Sequence, residues 1–414
     1  MEYFYYLYFM QNFSTLLSTS YQTFREHSIT ERRFSPEIVK KYIENLQEKF
    51  PHKFIVKEFG KSFEGREIYL LQIGTGQTKL LFWSQMHGDE STATAALLDI
   101  FNFFVVSLPP ALADYCQTIL QHCTLYFIPM LNPDGAAKWQ RRTAQQIDMN
   151  RDALALQTPE AVLLKQAQNT IKPDFGFNLH DQNIYYTAGH TATCATISFL
   201  APPIDNEKTV NETRQKAMQT IALLAEDLQQ FIPNGVAKFS DEFEPRAFGD
   251  NIQQWGTSTI LVESGAFVGD KEKQFIRKLN FILLLNAMYL IANQAYKDIP
   301  IADYYKIPNN EKLLRDVILR NVVIENTSVD IAFYCKETNK LNHLGEFVEL
   351  AEIDDIGDLS IFYAYQDIDC SKLTMQCISE IAVGENPTLI FRDANQKIAL
   401  MVENGKIIDF SANT

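Results

Sequence analysis

The strongest constraint on the fold is a regular alternation of short apolar runs and helical patterns over the first three hundred residues. Three apolar runs at Lys79–Gln85, Thr124–Met130 and Phe175–Leu179 are typical of buried strands, and Thr257–Val262 is a fourth. Helical patterns lie among them, for example at Ser91–Val106 and Lys271–Tyr296. Because parallel strands need a crossover helix between them, this order predicts an α/β fold with a largely parallel sheet.

The pattern of predicted elements changes after Asp298-Ile299-Pro300, where short β-like segments separated by turns replace the helices. We therefore predict a small all-β domain at residues 301–414, after an α/β domain at 35–300. Residues 1–34 are expected to form an N-terminal extension. Their apolar start is rich in tyrosine and holds no basic residue before Arg25, which is atypical of a signal peptide. A cytoplasmic location is expected, with a secreted or periplasmic one as the alternative.

Charge and composition exclude some classes of function. The 414 residues carry 37 basic and 51 acidic side chains, a formal net charge of −14. An acidic chain is a poor match for a phosphate backbone, so no nucleic-acid partner is expected. The longest uncharged run, Leu279–Tyr296, is interrupted by Asn280, Asn286 and Asn293. We interpret it as a buried helix and expect no membrane span.

Ionisable side chains follow three of the apolar runs. His87 and Glu90 come after the first, His180 directly after Phe175–Leu179, and Glu263 directly after Thr257–Val262. The carboxyl ends of parallel strands meet at one edge of a sheet, which is the usual place for an α/β active site. Two histidines and one glutamate can hold zinc, and the other glutamate can serve as a base. The same spacing at His343 and Glu346 has no third ligand and is interpreted as surface.

The ordered motifs resemble the zinc carboxypeptidases of the carboxypeptidase A type. They are His-x-x-Glu at 87–90, Asn-Pro-Asp-Gly at 132–135, Trp139 followed by Arg141, Asp-x-Asn-Arg at 148–151, His180 and Glu263. The resemblance covers roughly residues 35–297 and leaves out the C-terminal β domain. It implies a mixed, mostly parallel sheet sandwiched by helices, and one zinc ion per chain.

The resemblance also implies roles for eight residues. His87, Glu90 and His180 are expected to bind zinc. Asp148 is expected to contact one of these histidines without binding the zinc itself. Glu263 is expected to be the general base. Arg141, or Arg142 if the alignment shifts by one, is expected to polarise the scissile carbonyl. Asn150 and Arg151 are expected to bind the free C-terminal carboxylate of a peptide substrate.

Two departures from the family pattern concern substrate preference. Position 89 is aspartate where the digestive enzymes have arginine, and the family's tyrosine before the general base is missing. Arg246 or Asp250 is a possible substitute for that tyrosine, and a loop ion pair is the alternative. A zinc-dependent deacylase of N-acyl amino acids, similar to the aspartoacylase group, shares most of the motifs. Asn-Pro-Asp-Gly favours the peptidase.

Overall fold

The computed structural model describes residues 2–341, 347–378, 380–403 and 406–409. The chain divides into two units. The larger unit comprises Met1–Ile184 and Thr193–Asn310, and the smaller one comprises Tyr185–Ala192 and Glu311–Thr414. His343 and Glu346 lie outside the described residues.

A mixed sheet of eight strands forms the centre of the larger unit, counted over the described residues. Its strands are β1 (Ile55–Lys61), β2 (Glu67–Ile73), β3 (Thr78–Ser84), β4 (Cys123–Ile128), β5 (Phe175–Asp181), β7 (Ile197–Leu200), β8 (Val236–Lys238) and β9 (Ser258–Ser264). They lie in the order β1-β2-β4-β3-β5-β9-β7-β8. The central pairs β3–β4, β3–β5 and β5–β9 are parallel, whereas β1–β2, β2–β4 and β7–β9 are antiparallel. The predicted mixed, mostly parallel sheet is confirmed.

Helices pack against this sheet and supply much of the core. They are α1 (Glu2–Phe24), α2 (Pro36–Lys49), α3 (Thr92–Val105), α4 (Pro110–His122), α5 (Pro133–Lys138), α6 (Pro159–Ile171), α7 (Glu212–Leu228), α8 (Phe248–Gln254), α9 (Gln274–Ala292) and α10 (Ile301–Lys306). Short 3₁₀ turns lie at Met149–Arg151 and Ala295–Asp298. Helix α9 is long and apolar enough to cross a membrane, but most of it is buried inside the larger unit. This agrees with the interpretation as a core helix.

The predicted N-terminal extension, residues 1–34, is grouped with the larger unit, and its helix α1 packs into the core of that unit. Leu17 and Phe24 of α1 are at most 1 % exposed. The Ser14 hydroxyl donates to Asp227 Oδ2 at 2.7 Å, and the Asn286 side chain donates to Ser14 Oγ at 2.6 Å. The partners lie on α7 and α9, more than two hundred residues away, so the local sequence pattern does not reveal them.

A buried ion pair ties the segment after α1 to the same core. Arg277 of α9 donates to both carboxylate oxygens of Asp99 on α3, at 2.8 and 2.5 Å. The Tyr21 hydroxyl donates to Asp99 Oδ2 at 2.7 Å, and Arg277 also donates to the carbonyls of Glu26 and Ile29. Arg277 and Asp99 are 1 % and 0 % exposed. Such a pair is strongly destabilising when only one partner is removed.

The smaller unit is built from two four-stranded sheets, counted over the described residues. Its longer strands are β11 (Leu314–Ile324), β12 (Thr327–Leu341), β13 (Phe347–Gly357) and β14 (Tyr363–Asp369). The other sheet has β15 (Thr374–Cys377), β16 (Leu389–Arg392), β17 (Ile398–Glu403) and β18 (Lys406–Asp409). Two further strands belong to neither of these sheets: β6 (Thr187–Ala188) and β10 (Asn310–Glu311), each two residues long. One apolar cluster includes residues of both sheets, among them Phe333, Ile353 and Leu400.

The division between the units differs from the predicted boundary in two places. Helix α10 packs in the larger unit, where the Tyr304 hydroxyl accepts from the Ala201 N–H. Tyr185–Ala192 belongs instead to the smaller unit. The Tyr185 hydroxyl donates to Asp316 Oδ2 at 2.5 Å, and its ring stacks on Tyr334 with 4.3 Å between centroids. Contacts between residues that are distant in the sequence set these unit boundaries, and composition alone does not predict them.

Candidate metal centre and active site

The sheet brings the three predicted metal ligands and the predicted base to one edge. His180 in β5 and Glu263 in β9 are direct neighbours in the parallel register. His87 lies three residues after the end of β3, which pairs with β5 on its other side. Glu90 is in the turn that leads into α3. Strand order therefore converts residues that are far apart in the sequence into one cluster.

Three candidate ligand side chains converge in this cluster. His87 Nδ1 is 2.8 Å from Glu90 Oε1, His180 Nδ1 is 2.7 Å from Glu90 Oε2, and the two Nδ1 atoms are 3.2 Å apart. Two nitrogens bound to one zinc at about 2.0–2.1 Å with tetrahedral angles lie about 3.3 Å apart. The three side chains are 2–8 % exposed. This set of two imidazoles and one carboxylate is a donor set that suits zinc.

Electrostatics keep the carboxylate of the cluster charged. Burial alone would raise the pKa of Glu90, but the two histidines lower it well below its ordinary value. Burial lowers the pKa of His180. At His87 burial also acts downward, but Glu90 and Asp148 outweigh it and raise the pKa to about 9. Binding of a cation at His87 therefore competes with protonation of the imidazole.

Asp148 orients the imidazole of His87. Its Oδ1 lies 3.1 Å from His87 Nε2, the nitrogen that faces away from the cluster. A carboxylate on the second nitrogen fixes the tautomer and orientation of a ligand histidine. Asp148 Oδ2 accepts from Arg141 Nε at 3.1 Å, so the same carboxylate also holds the arginine.

Arg141, and not Arg142, lies at the cluster. Its Nη1 is 3.1 Å from His87 Nδ1 and 3.2 Å from Glu90 Oε1. Arg142 instead donates to the carbonyl of Gln146 in its own loop. The alternative alignment that the sequence left open is therefore not supported by the geometry.

Close backbone packing explains part of the motif pattern. A Cβ atom on Gly88 would lie 2.0 Å from the carbonyl carbon of Gly135, so the His-x-x-Glu turn abuts the Asn-Pro-Asp-Gly turn. Asn132 caps α5 by accepting from the Gly135 N–H and donates to the carbonyl of Met86. Asp134 accepts from Ser62 and Arg66. Asn-Pro-Asp-Gly is thus a structural support for the turn that carries the ligands.

Glu263 is buried beside the cluster. The residue is 8 % exposed and is the neighbour of His180 in the sheet. Burial, and to a smaller extent the negative charge of Glu90, raise the pKa of Glu263 well above its ordinary value. A carboxylate with raised pKa is suited to take a proton and return it.

The predicted carboxylate-binding residues lie in the 3₁₀ turn directly after Asp148. Asn150 Oδ1 accepts from the Phe248 N–H at 2.9 Å, and Arg151 Nε is 3.1 Å from Glu244 Oε2. Glu244 also pairs with Arg246, and its N–H donates to Asp250. In this structure the segment that lacks the family's tyrosine is therefore a loop of charged contacts around Glu244.

The sequence analysis did not single out a buried pair beside the cluster. Lys273 Nζ is 3.1 Å from Asp181 Oδ2, and both side chains are 8 % exposed. The available signal was the position of Asp181 directly after His180. Lys273 itself gave none, because lysine is common on surfaces.

A buried His-Glu-His cluster with a glutamate beside it, at the carboxyl edge of a mixed sheet, resembles the site of one class of proteins, the metal-dependent hydrolases of α/β fold. Within that class, residues 39–156 match the model of the zinc carboxypeptidase family. The matched segment includes six of the eight predicted site residues and ends before His180 and Glu263. The predicted family resemblance is confirmed.

The chain is also similar to proteins that are named carboxypeptidases. Carboxypeptidase D of Drosophila melanogaster is 30 % identical over 137 residues, which are 28 % of this chain and 10 % of that protein. Human carboxypeptidase D is 23 % identical over 153 residues, 33 % and 11 % of the two chains. The matches thus span about a tenth of these relatives. A metallo-carboxypeptidase from Burkholderia cenocepacia shares the fold, with a TM-score of 0.51, 18 % identity and coverage of 64 % of this chain and 70 % of that chain.

Proposed function

We propose that the protein is a zinc-dependent carboxypeptidase that hydrolyses the last peptide bond of substrates with a free C-terminal carboxylate. The observation that carries this proposal is the convergence of His87 Nδ1, Glu90 and His180 Nδ1, with Glu263 beside them in register. The family match to residues 39–156 supports it.

The residues divide the chemistry among them. His87, Glu90 and His180 would hold a zinc ion, which when bound would act as a Lewis acid beside the scissile bond. Glu263 takes the proton of the attacking water and passes it to the leaving amine. Arg141 offers N–H donors to the negative charge that develops on the carbonyl oxygen.

Recognition of the chain end is assigned to Arg151 and Asn150. A guanidinium can hold a carboxylate through two parallel hydrogen bonds. Because Arg151 already lies 3.1 Å from Glu244, an incoming substrate carboxylate competes with this internal acid. The exchange favours substrates that carry a full negative charge at the chain end.

The decisive experiment compares matched peptides with the zinc-loaded protein. An N-terminally blocked tripeptide with a free C-terminus should release its last residue, and the same peptide amidated should react at least about tenfold more slowly. The loss of a charged hydrogen bond, roughly 1.5–3 kcal/mol, supports this factor. Arg151→Ala should remove most of the discrimination, whereas the control Arg142→Ala should preserve it.

Glu263→Gln keeps the size of the side chain and removes proton transfer. Turnover should fall by about 10²–10⁴-fold while zinc stays bound. Near-normal turnover would reject Glu263 as the base. Equal rates on the free and amidated peptides would reject the exopeptidase proposal, and cleavage of N-acyl amino acids without peptide cleavage would favour the deacylase.

A further inference from the structure

We propose that Lys273 is a positioning residue that holds the strand ends carrying His180 and Glu263, and so preorganises the metal site. The inference rests on the metal cluster of the proposed function and does not depend on which bond the enzyme cleaves. Lys273 comes ten residues after Glu263, in the turn before α9, and its side chain is 8 % exposed.

One ammonium group binds the residue that follows each functional side chain. Lys273 Nζ donates to Asp181 Oδ2 at 3.1 Å and to the Ser264 carbonyl at 3.0 Å. Asp181 follows His180, and Ser264 follows Glu263. The Gln182 N–H donates to the same Ser264 carbonyl at 3.0 Å, so the two strand ends are joined by backbone and side chain together.

Asp181 extends the connection to the third element of the site. Its Oδ2 accepts from the Thr92 hydroxyl at 2.6 Å, and Thr92 begins α3 two residues after Glu90. The Asp181 N–H donates to Glu90 Oε2 at 3.2 Å. Lys273 and Asp181 therefore link the segments that carry Glu90, His180 and Glu263.

The backbone around Lys273 is shaped for this contact. Lys273 has a φ of +52°, in the left-handed region that side chains other than glycine seldom adopt. Such a conformation persists where the surrounding contacts determine it. Asp270 holds the turn, since its carbonyl accepts the Lys273 N–H and its side chain accepts from Gln274 and Phe275.

Stability alone gives a weak reason for a buried pair here, because apolar replacements of buried ion pairs are often neutral or stabilising. The fold offers a matched comparison in the pair of Arg277 and Asp99. That pair is buried more deeply, with side chains 1 % and 0 % exposed against 8 % and 8 %, and among the described residues its other hydrogen bonds are to Tyr21, Glu26, Ile29 and Gln274 and not to the cluster. A purely structural role predicts that the two pairs behave alike.

The test measures the affinity of the full-length protein for zinc ion by competition with a chromophoric chelator, together with the visible absorption of the cobalt(II)-loaded protein. Lys273→Met should weaken zinc binding by roughly 10–100-fold, the range for residues that support metal ligands, and should change the cobalt spectrum. Lys273→Arg should recover part of the affinity. Arg277→Met should lower the unfolding free energy and leave both metal readouts within about threefold of the unmodified protein.

Unchanged zinc affinity and cobalt spectrum in Lys273→Met would overturn the inference, and so would an equal loss of affinity in Arg277→Met. If Lys273→Met does not fold, Asp181→Asn provides the same test, since it keeps the shape of the acid and removes its charge. None of these readouts uses a substrate. Weakened zinc binding in a protein without peptidase activity would support this inference while rejecting the proposed function.

Discussion

Replacement of Asp148 by asparagine tests the link between metal ligand and arginine. The carboxylate accepts on both oxygens, from His87 Nε2 at 3.1 Å and from Arg141 Nε at 3.1 Å. Burial opposes its ionisation, but the hydrogen bond and charge of His87, together with Arg141, hold the pKa of Asp148 well below its usual range. It is therefore fully charged at neutral pH.

Asparagine keeps the shape but has only one acceptor oxygen, so its NH₂ group must face either His87 or Arg141, both of which donate. The lost charged hydrogen bond corresponds to roughly 1.5–3 kcal/mol. Expressed as affinity, this is about 10–100-fold in the dissociation constant of zinc. We expect Asp148→Asn to fall within that range, and kcat/KM to drop further if Arg141 also moves.

The assay is chelator competition with purified Asp148→Asn and a matched control, Asp152→Asn. Asp152 is a buried acid four residues away whose side chain accepts from Gln157 and Thr158. The control should change stability and leave zinc affinity unchanged. A zinc dissociation constant within twofold of the unmodified value in Asp148→Asn would refute the argument that this carboxylate orients His87.

Three further predictions concern stability. Arg277→Met should lower the unfolding free energy of the larger unit by roughly 3–5 kcal/mol in urea titrations, because Asp99 is left buried and unpaired; a loss below 1 kcal/mol would contradict this. Burial raises the pKa of Asp227 to about 6, so the folded state binds more protons than the unfolded state between about pH 4 and 6. The contribution of Asp227 to the free energy of unfolding should therefore fall by about 3 kcal/mol as the pH rises from about 4 to 6. Asp227→Asn should flatten this part of the profile, and an unchanged slope would count against it. Tyr185→Phe removes the hydrogen bond to the Asp316 carboxylate and should lower the unfolding free energy of the smaller unit by roughly 1.5–3 kcal/mol. An unchanged melting transition would contradict this prediction.

The α/β character and the positions of the ligand candidates could be read from local patterns. Apolar runs such as Phe175–Leu179 must be buried whatever their partners, and an ionisable residue directly after such a run must lie at its end. His180 and Glu263 were found for this reason. The turn signal at Asn132-Pro133 likewise depends on neighbouring residues alone.

What only the tertiary structure decided depends on contacts between distant residues. The sequence alone did not distinguish Arg141 from Arg142, because both occur in one loop and only the fold shows which one reaches His87. It did not show that α1 is a core helix, since the partner of Ser14 is Asp227, 213 residues away. Lys273 and Asp181 are 92 residues apart and meet because β5 and β9 are adjacent. The role of a buried polar side chain depends on its hydrogen-bond partner, and the tertiary fold decides which distant residue that partner is.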